Sequence, residues 1–252
     1  MITRPDAAVH VEWGAAGASA VGAADVSVVV DVLSFTTSLS VAADRGIEVL
    51  PYRSRDMSAA DYAAEHGAVL TVARSRVQPG EVSLSPSSIR EARGIQRLVL
   101  PSPNGSTIAY ALAATSTVCI GACLRNAAAV ARWIADTHHG DRTVSVIAAG
   151  ERWPDGSLRP CVEGLWGAGA VLADLLRLRP DLTVSVEADV VVAAWQAVRD
   201  TLPSSLQTCA SGRELVDAGY RSDVEVAAEV GRSATVPVLE GHRFVDHGRP
   251  GG

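Results

Sequence analysis

Four separated stretches of the chain repeat one order: a short apolar run, a cluster of small and polar residues, then a segment of helical periodicity. They cover 26–37, 97–107, 118–126 and 144–163. Short continuous apolar runs rich in β-branched residues suit strands buried on both faces of a parallel sheet. Alternation of strand and helix then places helices on both sides of that sheet. The expected fold is α/β, a mainly parallel sheet in a three-layer α/β/α arrangement. One unit spanning 1–252 is expected, with two lobes around a cleft, roughly 1–115 and 116–252. Each polar cluster falls at the carboxyl end of its strand, the edge where open α/β sheets bind ligands.

The pattern predicts strands over 26–30, 47–50, 68–72, 98–100, 117–120 and 144–148, and helices over 36–44, 58–66, 86–93, 105–114, 127–137 and 162–178. Ser85 with Pro86 reads as a cap followed by proline at the first helical position. Arg74 to Ser83 reads as a loop around Pro79-Gly80. Beyond Pro180 the signal weakens: the pattern allows a strand over 183–186 and a helix or a strand-helix mix over 188–202, and predicts helices over 211–218 and 223–230 and a closing hairpin of 236–239 with 243–245.

Bulk properties exclude several classes. The chain has 252 residues and a net charge of -6, with 4% aromatic residues. There is neither a basic tail nor an aromatic-studded basic patch, so no nucleic-acid partner is expected. No apolar run is long enough to span a bilayer, and Arg4, Asp6, His10 and Glu12 interrupt the first residues. No membrane partner and a cytoplasmic location are therefore expected, and a homodimer is kept open. Every basic residue apart from histidine is arginine. Without lysine there is no Walker-A lysine, no Schiff base and no pyridoxal phosphate attachment. The four cysteines, Cys119, Cys123, Cys161 and Cys209, form no C-x-x-C pair and read as buried small apolar residues.

The clusters carry carboxylates, arginines and small hydrogen-bond donors, a set that suits an anionic ligand held with a metal ion. Asp31 directly follows a buried strand, where a carboxylate needs a cation or donors to offset desolvation. It reads as a Mg²⁺ ligand or general base, or else as a helix cap or ion-pair partner. In the string Pro101 to Thr107, Asn104-Gly105 permits a tight turn, and Ser106-Thr107 open a helix whose free N–H groups favour an anion. Ser102, Asn104, Gly105, Ser106 and Thr107 are thus candidate phosphate binders. Arg125 and Asn126 close a similar turn. Glu151 and Arg152 end another strand, and could serve a metal and an anion or simply pair with each other. Glu163 opens the longest helix. Arg74 and Arg76 suit a second acidic group on the ligand. Cys119 and Arg125 have the C-x5-R spacing of cysteine-dependent phosphatases, although Cys119 lies within a strand and no histidine precedes it.

At these residues the chain resembles the 2-phosphosulfolactate phosphatase (ComB-like) family. The matching strings are 31–37, Asn104-Gly105-Ser106-Thr107, 121–127, Ala149-Gly150-Glu151, Cys161-Val162-Glu163 with Ala168-Gly169, and 236–239. The resemblance implies a Mg²⁺-dependent phosphatase that converts 2-phospho-3-sulfolactate to 3-sulfolactate and phosphate. On that basis Asp31, Glu151 and Glu163 are expected to supply metal ligation or base function. Arg125, Arg152 and the turn from Asn104 to Thr107 are expected to hold oxyanions, making Asp31, Glu151 and Arg125 the catalytic set. The chain departs from the family pattern where members often carry arginine (here Ser34), where they often carry an acidic residue (here Gly164), and at Leu84-Ser85-Pro86-Ser87. Those departures motivate a competing reading as a non-catalytic anion-binding or sensor homologue.

Overall fold

A computed structural model describes residues 7–53, 58–78, 80–140 and 142–248. The turn proline Pro79 lies outside these described residues. A nine-stranded sheet forms the middle layer. Its first block contains β1 (Val9–Trp13), β2 (Val26–Val30), β6 (Val118–Ala122) and β7 (Val144–Ala148) in the spatial order β1-β7-β2-β6, all parallel. Its second block contains β3 (Glu48–Tyr52), β4 (Val69–Leu70) and β5 (Arg97–Pro101) in the order β3-β5-β4, also parallel. Strands from both sides of residue 115 share this sheet, since β2 pairs with β6 and β7.

The expected closing hairpin exists, as β10 (Pro237–Glu240) and β11 (Arg243–Asp246), but it lies inside the sheet rather than at an edge. It joins the two blocks, with β10 antiparallel to β6 and β11 antiparallel to β3. Three successive antiparallel pairings make the second block run opposite to the first. The sheet is mostly parallel, as expected, but in two opposed halves.

Side-chain alternation on the strands explains the three layers. Val26, Val28 and Val30 of β2 face a core built with α6 (Ala127–Thr137), α7 (Val162–Leu178) and α8 (Val186–Val198). Val29 faces the other way, into a core with α1 (Gly14–Val21), α2 (Phe35–Asp44), α4 (Pro86–Glu91) and α5 (Gly105–Ala113). α3 (Ser58–Glu65) covers Leu50 and Val99 on the second block. Close packing of α7 depends on bare backbone: a Cβ on Gly167 would stand 2.7 Å from Val30 Cγ1. Among the described residues no helix is long and apolar enough to cross a membrane.

Several elements differ from the sequence pattern. β1, whose VHVEW alternates apolar and polar residues, and α1, whose run of small residues gives weak periodicity, were not anticipated. The strand expected over 183–186 is reduced to one bridge, Val9 with Val184. Ser185 instead caps α8 by accepting from Ala188 N, so Val186 begins a helix. The segment 202–208 forms a further helix, α9 (Leu202–Thr208), with Pro203 in its first turn. α10 (Ala210–Asp217) and α11 (Arg221–Ala227) follow, close to their expected places.

Candidate active site

Asp31 begins where β2 ends. Its backbone is locked by Thr36, whose N–H donates to Asp31 O at 2.9 Å and whose Oγ1 accepts from Asp31 N at 2.9 Å. The carboxylate then turns toward the N-terminus of α2, where Phe35 N donates to Oδ1 at 3.4 Å. Oδ2 faces Gly105 at the start of α5. A Cβ on Gly105 would lie 2.7 Å from Oδ2 and 2.6 Å from Phe35 Cγ, so only glycine admits this approach. The helix-capping reading of Asp31 is thus part of its geometry, alongside its place in an acidic group.

The second carboxylate comes from the end of β7. Gly150 (φ 63°) turns the chain there, and its Cβ would meet Arg159 O at 2.8 Å. The chain then forms a small hairpin, β8 (Glu151–Arg152) with β9 (Leu158–Arg159), in which Glu151 and Arg159 are opposite partners. Asn104 Nδ2 donates to Glu151 Oε2 at 2.9 Å. The third carboxylate, Glu163, is buried in the first turn of α7, with Cys209 Sγ 3.7 Å from Oε2.

These three acids repel one another in a poorly solvated place. Burial, then the negative charge of Glu151 and of Glu163, push Asp31 up to about 7, against the pull of the Phe35 and Gly105 amides. Burial also raises Glu151, opposed by Arg159 and by the Asn104 hydrogen bond. Strongly raised carboxyl groups with named charge partners are common at functional sites.

Asp31, Asn104, Gly105, Glu151 and Glu163 therefore meet, although they come from both blocks of the sheet. The other expected residues divide. Ser102 Oγ accepts from Gly105 N at 3.1 Å, and Ser106 Oγ donates to Leu100 O at 3.0 Å, so both hydroxyls brace the turn. Thr107 is half-buried on α5, and Arg152 is exposed, with Nη1 donating to Gly156 O. Asn104, Glu151 and Arg152 line a cleft of ≈ 190 Å³ with Trp13, Gly14 and Leu158. Arg76 is exposed, whereas Arg74 donates through Nη2 to Ser34 Oγ at 2.5 Å.

Arg125 and Asn126 require correction. Arg125 is 4% exposed, and its guanidinium is occupied by Asp44 and Glu229. It ties the end of α2 to the segment after α11 rather than presenting a free clamp. Asn126 accepts from Cys123 N and donates to Gly121 O and Thr235 O, so it is a buried brace. The cysteine route fails with it. Burial pushes the Cys119 thiol up to about 12, which leaves no thiolate near neutral pH.

Arg159 escaped the sequence reading. It is bidentate to Glu214 at 2.6 and 2.9 Å, stacks 5.6 Å from the Trp153 ring, and supplies positive potential to Glu151. The available signal was its hairpin register opposite Glu151, which depends on recognising Trp153 to Ser157 as a turn.

The family described as 2-phosphosulpholactate phosphatase matches residues 17–242, a span that contains all three carboxylates. The chain belongs to this family. It is accordingly a phosphoric monoester hydrolase by family, as its resemblance implied. A relative from Thermus thermophilus, described as a probable 2-phosphosulfolactate phosphatase, is 31% identical over 221 residues, covering 86% of this chain and 89% of the relative. A relative from Deinococcus radiodurans with the same description is 27% identical over 219 residues, covering 85% and 88% respectively.

Proposed function

We propose that the protein is a cytoplasmic Mg²⁺-dependent phosphatase that hydrolyses 2-phospho-3-sulfolactate to 3-sulfolactate and inorganic phosphate. The observation that carries this reading is the meeting of Asp31, Glu151 and Glu163 beside the N-terminus of α5, with Asp31 pushed up to about 7. Three acids so placed favour a cation, and a helix N-terminus favours an anion. Together they suit a metal-bound phosphoryl group.

The residues suit Mg²⁺ in a particular way. Among the described residues no group of three or more His, Cys, Asp or Glu side chains forms a ready metal cage. Mg²⁺ commonly uses one or two protein carboxylates and completes its shell with water and substrate oxygens. Asp31 and Glu151 would hold it, and Glu163 would add negative potential from within α7. When bound, Mg²⁺ neutralises phosphoryl oxygens and acidifies a coordinated water.

The chain's own groups divide the remaining work. Asn104 holds Glu151 Oε2, and no described residue donates to Oε1, which leaves that oxygen open. Phe35 N holds Asp31 Oδ1 and Oδ2 faces the Gly105 amide, so the carboxylate is fixed in orientation from both sides. Bound Mg²⁺ would keep Asp31 ionised, so its rise to about 7 belongs to the metal-free site and marks a carboxylate in want of a cation. Gly105 N is already engaged by Ser102 Oγ, so the amides that follow it in the first turn of α5 would orient the phosphoryl oxygens.

The test is phosphate release from 2-phospho-3-sulfolactate by the purified protein. Release should stop in EDTA and return with Mg²⁺. Undiminished release in EDTA overturns the metal requirement, and no release above a blank overturns the phosphatase reading in favour of a non-catalytic anion binder.

A further inference from the structure

Away from the three acids, the most heavily hydrogen-bonded carboxylate given by the structure belongs to Asp223. It lies in the first turn of α11, 1% exposed, far in sequence from every strand end considered above. Four donors converge on it. Arg74 Nε donates to Oδ2 at 2.8 Å. Ser85 Oγ, Ser87 Oγ and Ser87 N donate to Oδ1 at 2.5, 2.6 and 3.4 Å. A buried carboxylate with this many donors is fixed in place, and it fixes its donors in turn.

Arg74 is the donor whose other end points elsewhere. Its Nη2 reaches Ser34 Oγ at 2.5 Å, and Ser34 stands just before α2, three residues after Asp31. The Tyr220 ring lies 5.7 Å from its guanidinium carbon and limits its swing. No described residue accepts from Nη1. Arg74, Ser85, Ser87 and Tyr220 also line a groove of ≈ 790 Å³, so the guanidinium borders open space.

We infer that Asp223 is a positioning residue that, with Ser85 and Ser87, aims the Arg74 guanidinium along the approach to the Asp31 loop, where it receives the second acidic group of a phosphorylated diacid. This inference rests on the proposed phosphatase reading and deepens it by assigning the side chains that fix where the ligand's second acidic group docks. The geometry suits the task. With Nε held on a buried carboxylate and Nη2 on Ser34 Oγ, Nη1 is the donor left for an oxyanion. Arg74 is 19% exposed, so its charge is only partly screened by water. An ion pair serving stability alone would not need an arginine whose Nη2 reaches Ser34 in the loop after Asp31 while its Nη1 has no described acceptor.

The test pairs two substrates, 2-phospho-3-sulfolactate and phenyl phosphate, which lacks a second acid. Arg74→Ala should raise KM for the first, relative to its effect on the second, roughly ten- to hundredfold, the value of a charge-assisted contact. Asp223→Asn should move the same ratio in the same direction by roughly three- to tenfold, because Arg74 remains but is no longer held. If Asp223→Asn fails to fold, Arg74→Lys, which keeps the charge and loses the fork, carries the test. Equal losses on both substrates, or an unchanged ratio, overturn the inference.

A binding measurement separates this inference from the reading beneath it. Calorimetry with sulfoacetate, a carboxylate–sulfonate dianion without phosphate, should show binding to the wild type that weakens roughly tenfold or more in Arg74→Ala. Sulfoacetate binding that needs Arg74, in a protein that releases no phosphate, keeps the anion site and discards the phosphatase. Phosphate release with sulfoacetate binding indifferent to Arg74 does the reverse.

Discussion

Replacing Asp31 by asparagine tests the acidic site most directly. The carboxyl rises from an ordinary 3.8 to about 7 because burial and the neighbouring Glu151 and Glu163 oppose its charge. A folded value above the unfolded one means that the associated stability is fully present below pH 3.8 and is lost as pH rises through about 7. The full difference corresponds to ~4 kcal/mol at about 1.4 kcal/mol for each tenfold change in proton affinity. Part of it is already lost at pH 5, which leaves about 2–3 kcal/mol to appear between pH 5 and pH 8. Asp31 keeps a partial solvent window, so this is the upper end of the effect. Asparagine carries no charge at either pH. In EDTA, urea unfolding should therefore show Asp31→Asn gaining stability relative to wild type by about 2–3 kcal/mol from pH 5 to pH 8. The same substitution should abolish phosphate release, a gain in stability bought at the cost of function. Mg²⁺ should stabilise the wild type at pH 8 and leave the variant nearly unmoved. Parallel pH profiles for the two proteins, within about 0.5 kcal/mol, would refute the claim that Asp31 is held in an unfavourable charged state.

Other substitutions probe separate parts of the argument. Gly105→Ala forces a methyl group against Phe35 and Asp31 Oδ2, and should cost about 1–3 kcal/mol of stability together with most of the activity, read by urea unfolding and phosphate release. Cys119→Ser should leave phosphate release intact, since the Cys119 thiol is not ionised near neutral pH; loss of release in a folded variant would revive the cysteine route. Arg125→Ala removes a buried cation from Asp44 and Glu229, so urea unfolding should show a loss of about 2–4 kcal/mol while KM changes less than about threefold. A large rise in KM with little loss of stability would restore Arg125 to the substrate.

Much of the local structure was legible because each element carries its own punctuation. The helices at 127–137 and 162–178 and the strand at 144–148 form over the expected residues, since apolar periodicity and flanking polar residues agree there. Candidate acids were legible for a similar reason: Asp31 and Glu151 follow buried strands, where charge is costly unless it has a purpose. Side chains whose partners are remote in sequence were not legible. Arg125 looked like a clamp because its turn resembles that around Asn104, yet Asp44 and Glu229 claim it.

The sequence by itself determined the alternation of strands and helices, the glycine turns and the acidic strand ends, because those follow from burial and backbone sterics within a few residues. Only the tertiary structure decided that the hairpin at 237–246 would divide the sheet into opposed halves and that the Asn104 turn would nevertheless reach Glu151. It also decided which arginine is spent on stability and which faces open space. The physical reason is range. Periodicity and capping act over one or two turns of chain, whereas charge pairing and desolvation depend on what distant segments bring to the same few ångströms.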